Sequence, residues 1–126
     1  MTIFGIGLDL LQIKRIRKLK KKNQIKLAKR ILSVYEWKKY LMSSFSIRYI
    51  STRFSAKEAA SKALGTGIQK GIYWNQLEIR NNKEGKPKII FLKNAKKLFN
   101  NMKIKKSYLT ITDEIKYIVT LVILEK

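Results

Sequence analysis

The chain of 126 residues contains no cysteine and no histidine. These absences exclude disulfide scaffolds, zinc fingers, iron–sulfur sites, cysteine nucleophiles and every catalytic triad or general base that depends on histidine. A metal ion bound by such a chain needs oxygen ligands, which favours Mg²⁺, Mn²⁺ or Ca²⁺.

Long apolar segments and flexible linkers are missing as well. No apolar run approaches the roughly 20 residues of a membrane span. The N-terminal segment 1–10 has no basic region before its apolar stretch, so it does not resemble a signal peptide. Pro87 is the only proline, and no repeat or Pro/Gly-rich linker interrupts the chain. We therefore expect a cytoplasmic protein without a membrane span, folded as a single domain over 1–126.

Acidic residues are scarce, with 8 Asp and Glu against 29 Lys and Arg, for a formal net charge of +21. Lysine supplies 23 of the basic residues and arginine only 6, a bias that drift toward AT-rich codons would produce. The functional interpretation is an anionic partner such as nucleic acid, an acidic protein or a phosphorylated ligand. The charge thus leaves open a small basic nucleic-acid-binding protein as an alternative function.

Hydrophobic periodicity predicts an α+β fold with several N-terminal helices packed on a largely antiparallel sheet. Ser33 and Glu36 have the spacing of a capping box, and Gly65 is placed to end a long helix. The predicted elements are a strand at 2–10, helices at 11–22 and 24–32, a helix after Ser33, a helix at 47–64, strands at 77–80 and 88–92, a helix at 94–102, and strands at 108–112 and 117–124.

Only two of the eight acidic residues lack an evident structural role. The other six are assigned to a helix cap (Glu36), a polar strand face (Glu78), turns (Glu84, Asp113, Glu114) and the C-terminal end (Glu125). Asp9 follows Gly5 and Gly7 at the end of the predicted first strand. It is interpreted either as the N-cap of the next helix or as a metal ligand beside glycines that let a ligand approach.

Glu58 lies among alanines in the middle of the long helix, four residues before Lys62. This pair is either a surface ion pair or a metal-binding carboxylate beside an ammonium that binds phosphate. The Gly65-Thr66-Gly67 segment is either a helix C-cap or a loop whose backbone amides hold an anion.

Four segments together resemble one enzyme family. GIGLDLLQIKRI at 5–16 and RFSAKEAASKALGTGI at 53–68 are similar to the two signature blocks of the holo-acyl-carrier-protein synthases, the small 4′-phosphopantetheinyl transferases. Gly85-Lys86-Pro87 before a strand and Thr110-Ile111-Thr112 near the C-terminus match two further family segments in the same order.

The resemblance implies transfer of 4′-phosphopantetheine from coenzyme A to a serine of apo acyl carrier protein, with Mg²⁺, to supply fatty acid synthesis. By matching positions, Asp9, Glu58 and Lys62 would be catalytic residues. Asp9 and Glu58 would be Mg²⁺ ligands, and Lys62 would bind the diphosphate and protonate the leaving group. Either metal-bound water or one of the carboxylates would deprotonate the serine. The positions that match coenzyme A contacts are Arg53, Gly65, Thr66, Gly67, Lys86, Pro87 and Thr110.

The resemblance also implies two kinds of partner. Arg15, Lys26 and Arg30 match the surface on which the family binds its acidic carrier protein. The family is trimeric, with active sites between subunits, so we expect the strand 117–124 to be buried at a shared centre. One departure is Tyr108, which stands where many members have histidine. Because tyrosine, with a pKa near 10, is a poor base at neutral pH, we expect water to serve instead.

Overall fold

The computed structural model describes residues 1–126, and the α+β class predicted from the sequence is confirmed. A three-stranded sheet has the order β1-β5-β4, β2 and β3 form a separate hairpin, and all pairs are antiparallel. The elements are β1 (Ile3–Gln12), α1 (Lys14–Arg17), α2 (Lys21–Ile31), α3 (Val34–Met42), α4 (Ile47–Leu64), β2 (Leu77–Asn81), β3 (Pro87–Phe91), α5 (Lys93–Asn101), β4 (Lys106–Asp113) and β5 (Tyr117–Glu125), with a short 3₁₀ turn at Trp74–Gln76.

Helix α4 is the central element of the fold. Ser46 caps its first turn by accepting a hydrogen bond from the N–H of Tyr49, and Gly65 ends it in the left-handed conformation at φ 83°. Its alanines pack against the three-stranded sheet in the main hydrophobic cluster. Although α4 is the longest helix, neither it nor any other is both long and apolar enough to span a membrane.

Two glycines of β1 allow α4 to approach the strand at backbone distance. A Cβ atom added at Gly7 would collide with the carbonyl oxygen of Ala59, and one added at Gly5 would collide with that of Ala63. These glycines were interpreted from the sequence as making room for a ligand. The structure shows that they make room for the helix.

The predicted helix at 11–22 is wrong. Strand β1 continues to Gln12 by pairing Leu11 and Gln12 with Ile118 and Tyr117 of β5. Only a short helix, α1, follows, and α2 begins at Lys21 rather than at residue 24. The apolar spacing was real, because Leu11, Ile13 and Ile16 are buried together, but strand pairing determined the backbone conformation of its first residues.

The three-stranded sheet is covered on one face only. On the covered face, alternate residues of β5 are buried: Ile118, Thr120, Val122 and Leu124. On the opposite face, Ile6, Leu8 and Leu10 of β1 are 58%, 58% and 61% exposed. The strand at 117–124 is therefore buried on one side in the single chain, and its other side continues an open apolar surface.

Candidate active site

Asp9 lies inside β1 rather than at its end, opposite Thr120 of β5. It caps no helix, which corrects one interpretation of this residue. Strand alternation puts Asp9 on the same face as Gly5 and Gly7, the face that α4 covers. Its side chain is only 15% exposed, so the carboxylate is held at the boundary between strand and helix.

Lys62 connects α4 to this strand. Its Nζ donates to the carbonyl oxygen of Leu8 at 2.9 Å and lies 3.3 Å from Oδ1 of Asp9. The surface ion pair between Lys62 and Glu58 proposed from their spacing does not form. The structure instead joins Lys62 to a carboxylate 53 residues away, and the lysine side chain remains 54% exposed.

Glu58 lies one helical turn before Lys62 and has a different partner. The indole N–H of Trp74 donates to its Oε1 at 3.3 Å. Sequence reasoning missed Trp74, because a single tryptophan in the connection before β2 has no spacing relative to Glu58 that would indicate a contact.

The chemistry of the two carboxylates fits a hard divalent cation. Asp9 and Glu58 each use one oxygen in the contacts with Lys62 and Trp74, and their second oxygens make no hydrogen bond to protein. No group of three histidine, cysteine, aspartate or glutamate side chains forms a complete metal site. Mg²⁺ suits such an incomplete set, since it is commonly held by one or two carboxylates together with water and substrate phosphates.

The Gly65-Thr66-Gly67 segment ends α4 just beyond Lys62. Gly65 and Gly67 have φ values of 83° and 66°, and the N–H of each donates to the carbonyl oxygen of Ser61. The C-cap interpretation is therefore confirmed. Apart from the adjacent residues of the chain, no atom lies within 4 Å of where a Cβ would stand on either glycine, so the outer side of the loop is open.

The remaining positions matched to coenzyme A line a different part of the surface. Lys86, Pro87 and Thr110 line a cleft of about 490 Å³ that Tyr108 also borders. Pro87 also lines a smaller cavity of about 220 Å³ that includes Arg53 and Asn81. Arg53 is held there by a 3.2 Å hydrogen bond to Asn81 and by stacking 4.4 Å from the ring centre of Tyr49.

The predicted site residues thus fall into two groups within one chain. The first group, on β1 and α4, contains Asp9, Glu58, Lys62 and the Gly65–Gly67 loop. The second lines the two cavities and contains Arg53, Lys86, Pro87 and Thr110. Neither cavity includes a residue of the first group.

A buried ionic network lies behind the first group. It confirms the sequence interpretation of Glu36 and corrects that of Glu78. Glu36 does form the predicted capping box with Ser33, but it also binds Lys57 at 2.7 Å, and both side chains are fully buried. Glu78 is 4% exposed rather than on a polar face, and it accepts hydrogen bonds from Ser33 and Arg80. Burial lowers the pKa of Lys57, and the Glu36 carboxylate opposes that shift.

The three basic residues assigned to carrier binding are all exposed. Arg15 lies on α1, and Lys26 and Arg30 are one turn apart on α2. The guanidinium carbon of Arg30 lies 5.6 Å from the ring centre of Trp74. This basic surface therefore adjoins the residue that contacts Glu58.

Comparison with known proteins gives consistent matches over nearly all of the chain. The family model described as the 4′-phosphopantetheinyl transferase superfamily matches residues 5–120. A holo-[acyl-carrier-protein] synthase of Buchnera aphidicola subsp. Schizaphis graminum is 50% identical over 126 residues, covering 100% of both chains. The crystal structure of holo-[acyl-carrier-protein] synthase from Neisseria meningitidis has a TM-score of 0.91 and 33% identity, over 98% of this chain and 99% of that one. The Helicobacter pylori synthase in complex with coenzyme A has a TM-score of 0.81 and 27% identity, over 95% and 99% of the two chains.

Proposed function

The chain belongs to the 4′-phosphopantetheinyl transferase superfamily, and we propose that it transfers 4′-phosphopantetheine from coenzyme A to a serine of apo acyl carrier protein, for use in fatty acid synthesis. The family resemblance found in the four sequence segments is confirmed by the full-length matches. The observation that carries the proposed reaction is the contact of Lys62 with Asp9, one helical turn from Glu58.

Asp9 and Glu58 are the residues that would hold Mg²⁺. When bound, the ion would supply neutralisation of the charge that develops on the diphosphate during transfer. Both carboxylates come from rigid elements, since Asp9 is paired within the sheet and Glu58 is in the middle of α4. Their placement therefore does not depend on ordering a loop.

As the serine oxygen bonds to the β-phosphorus, the bond from that phosphorus to the bridging oxygen would break and release adenosine 3′,5′-bisphosphate. Lys62 would bind the diphosphate and protonate this leaving group. In its ion pair with Asp9 the lysine side chain is 54% exposed, whereas the aspartate is 15% exposed. The ammonium is thus on the solvent side of the pair, where an incoming phosphate can reach it. Because the chain has no histidine, the serine proton would pass to water or to one of the carboxylates.

We propose that the two groups of site residues meet between copies of the chain in a homotrimer. The separation of Asp9, Glu58 and Lys62 from the cleft of Lys86 and Thr110 within one chain supports this arrangement. So does the open apolar face, where Leu8, Leu121 and Thr110 are aligned across the three strands. The family's trimer would cover this face.

The carrier protein would bind the exposed basic surface of α1 and α2. The positive charges of Arg15, Lys26 and Arg30 would raise the association rate of an acidic partner. This increase would become smaller at higher salt concentration, because salt screens the charges. The transferase is favoured over the nucleic-acid-binding alternative because one of these basic residues, Arg30, lies 5.6 Å from the ring of Trp74, which contacts Glu58.

The test is incubation of the purified protein with apo acyl carrier protein, coenzyme A and Mg²⁺, with mass spectrometry of the carrier. We expect the carrier to gain the mass of one phosphopantetheine group. The Glu58→Gln and Lys62→Met variants should each be slower by about 100-fold or more, as expected for loss of charge stabilisation in the transition state. The matched control is Lys97→Met, a change at an exposed lysine on α5.

Two results would contradict the proposal. One is full activity of the Glu58→Gln variant. The other is no transfer by the wild-type protein combined with tight, salt-sensitive RNA or DNA binding, which would favour the nucleic-acid alternative.

A further inference from the structure

Trp74 is the only side chain that donates a hydrogen bond to the carboxylate of Glu58. We propose that Trp74 is a positioning residue that orients the Glu58 carboxylate toward the divalent cation. This inference rests on the proposed function, in which Glu58 is a metal ligand. Trp74 acts through Glu58 and touches neither metal nor substrate.

The chemical character of the indole suits this role. A glutamate side chain has several rotatable bonds, and a donor fixed at Oε1 restricts them while Oε2 stays free of protein partners. A lysine or arginine in the same place would compete with a cation by charge. The indole N–H is neutral, so it orients the carboxylate and preserves its negative charge.

The backbone of Trp74 is fixed from inside the protein. Lys57, the neighbour of Glu58 on α4, donates from its buried Nζ to the carbonyl oxygens of Trp74 at 2.9 Å and Leu77 at 2.8 Å. The same ammonium binds Glu36 at 2.7 Å. Two consecutive residues of one helix therefore hold both parts of the tryptophan, since Lys57 binds its backbone and Glu58 binds its side chain.

The ring of Trp74 is fixed by its packing. It lies 6.2 Å, centre to centre, from the ring of Phe54, which is one helical turn before Glu58 on α4. Arg30 of α2 approaches the ring at 5.6 Å from its centre. With its backbone, ring and N–H all engaged, Trp74 can impose one orientation on Glu58.

The experiment measures divalent metal binding directly. Mn²⁺ is titrated into the full-length protein with saturating coenzyme A and no carrier protein, and free Mn²⁺ is followed by electron paramagnetic resonance. The Trp74→Phe variant keeps an aromatic ring and loses only the N–H donor and part of the ring area. We expect its Mn²⁺ affinity to fall about 10-fold, in the range for lost outer-shell partners of metal ligands. Coenzyme A affinity and melting temperature should remain close to wild type.

Two controls separate positioning from general damage. Trp37→Phe alters the other tryptophan, which packs on Tyr40 of α3, and should leave Mn²⁺ affinity unchanged. In that background Trp74 is the sole tryptophan. Its fluorescence should be quenched by Mn²⁺, and adding Glu58→Ala should abolish the quenching. In the same Trp37→Phe background, Trp74 can be replaced by benzothienylalanine, in which a sulfur atom substitutes for the N–H. This replacement removes the hydrogen-bond donor with little change of shape. It tests the same prediction if the Trp74→Phe variant does not fold.

The outcomes distinguish this inference from the proposed function. Wild-type Mn²⁺ affinity in the donor-lacking variants, together with lost affinity in Glu58→Ala, would overturn the role of Trp74 alone. Unchanged affinity in Glu58→Ala itself would overturn the metal assignment and the positioning role together. Weakened affinity in both Trp74→Phe and Glu58→Ala, with Trp37→Phe normal, supports both.

Discussion

The ammonium nitrogen of Lys57 lies 2.7 Å from Oε1 of Glu36, and neither side chain is exposed to solvent. The second oxygen of Glu36 accepts a hydrogen bond from the N–H of Ile79 at 2.8 Å. The pair thereby joins α3 and α4 to the start of β2. It lies directly behind the connection that carries Trp74.

Replacing Lys57 by methionine should destabilise the protein by about 3–5 kcal/mol, because it leaves Glu36 charged, buried and without its cation. Urea unfolding measures the change. The double variant Lys57→Met with Glu36→Gln should recover part of the loss. Lys96→Met, at an exposed position of α5, is the control and should have no effect. Equal stability of Lys57→Met and wild type would show that the pair is not needed.

Replacing Gly7 by alanine should destabilise the protein by about 3 kcal/mol and abolish most transfer activity. The added methyl group meets the backbone carbonyl of Ala59, which cannot move without displacing α4 from Asp9. Adding Ala59→Gly should give no rescue, because the collision is with backbone and not with a side chain. Thermal unfolding and the carrier mass assay measure the two effects, and rescue by that second change would contradict the explanation.

Stability at high pH should depend on Tyr49. Its hydroxyl is buried and makes no hydrogen bond of normal geometry. This burial raises its pKa from 10.0 to about 12, although the neighbouring Arg53 guanidinium acts to lower it. Between these values the folded chain keeps a proton that the unfolded chain releases, so the contribution of Tyr49 to stability is present below pH 10 and is lost as pH rises toward 12.

The matched variant for this prediction is Tyr49→Phe, which removes the titrating group. Its urea midpoint should fall less than that of wild type between pH 10 and 12, and absorbance titration should show one fewer late-ionising tyrosine. At neutral pH it should be as stable as wild type or slightly more so, since an unsatisfied buried hydroxyl is removed. Identical pH profiles would contradict the assignment.

A charge on the open sheet face should dissociate the proposed trimer. Leu8 is 58% exposed in the single chain and lies in the middle of that face, so Leu8→Asp would put a carboxylate into the apolar contact. Light scattering should report a monomer with little transfer activity. The control is Val34→Asp, which changes an apolar side chain on α3 that is 77% exposed. It should leave the molecular mass of the oligomer measured by light scattering unchanged. A monomeric wild-type protein with full activity would contradict the shared site.

Charge reversal on α2 should weaken carrier binding selectively. Lys26→Glu should raise the KM for acyl carrier protein several-fold and leave kcat and the KM for coenzyme A near wild type, because Lys26 is exposed and makes no site contact. Raising the salt concentration should reduce the difference between the variant and wild type. Lys96→Glu is the control with the same change of net charge, and an equal effect there would point to total charge rather than this surface.

Features that depend on neighbouring residues were predictable from the sequence. The bounds of α4, its glycine C-cap and the capping box of Ser33 and Glu36 were correct, since helix periodicity and capping are local interactions. The family resemblance allowed Asp9, Glu58 and Lys62 to be named together, although they lie far apart in the chain. The absence of cysteine and histidine had already restricted any metal site to oxygen ligands.

Features that depend on contacts between distant secondary-structure elements could be identified only from the tertiary structure. Pairing with β5 extended β1 through Gln12 and removed the predicted helix at 11–22, because hydrogen bonds between strands outweighed a local helical pattern. Because β1 packs against α4, Lys62 forms its ion pair with Asp9 and not with Glu58, which is closer to it in the sequence. The sequence by itself therefore determined the residue chemistry and the local helix signals. Only the fold decided the partners of Lys57, Glu58 and Lys62, because hydrogen bonds and ion pairs act at contact distance, whatever the separation along the chain.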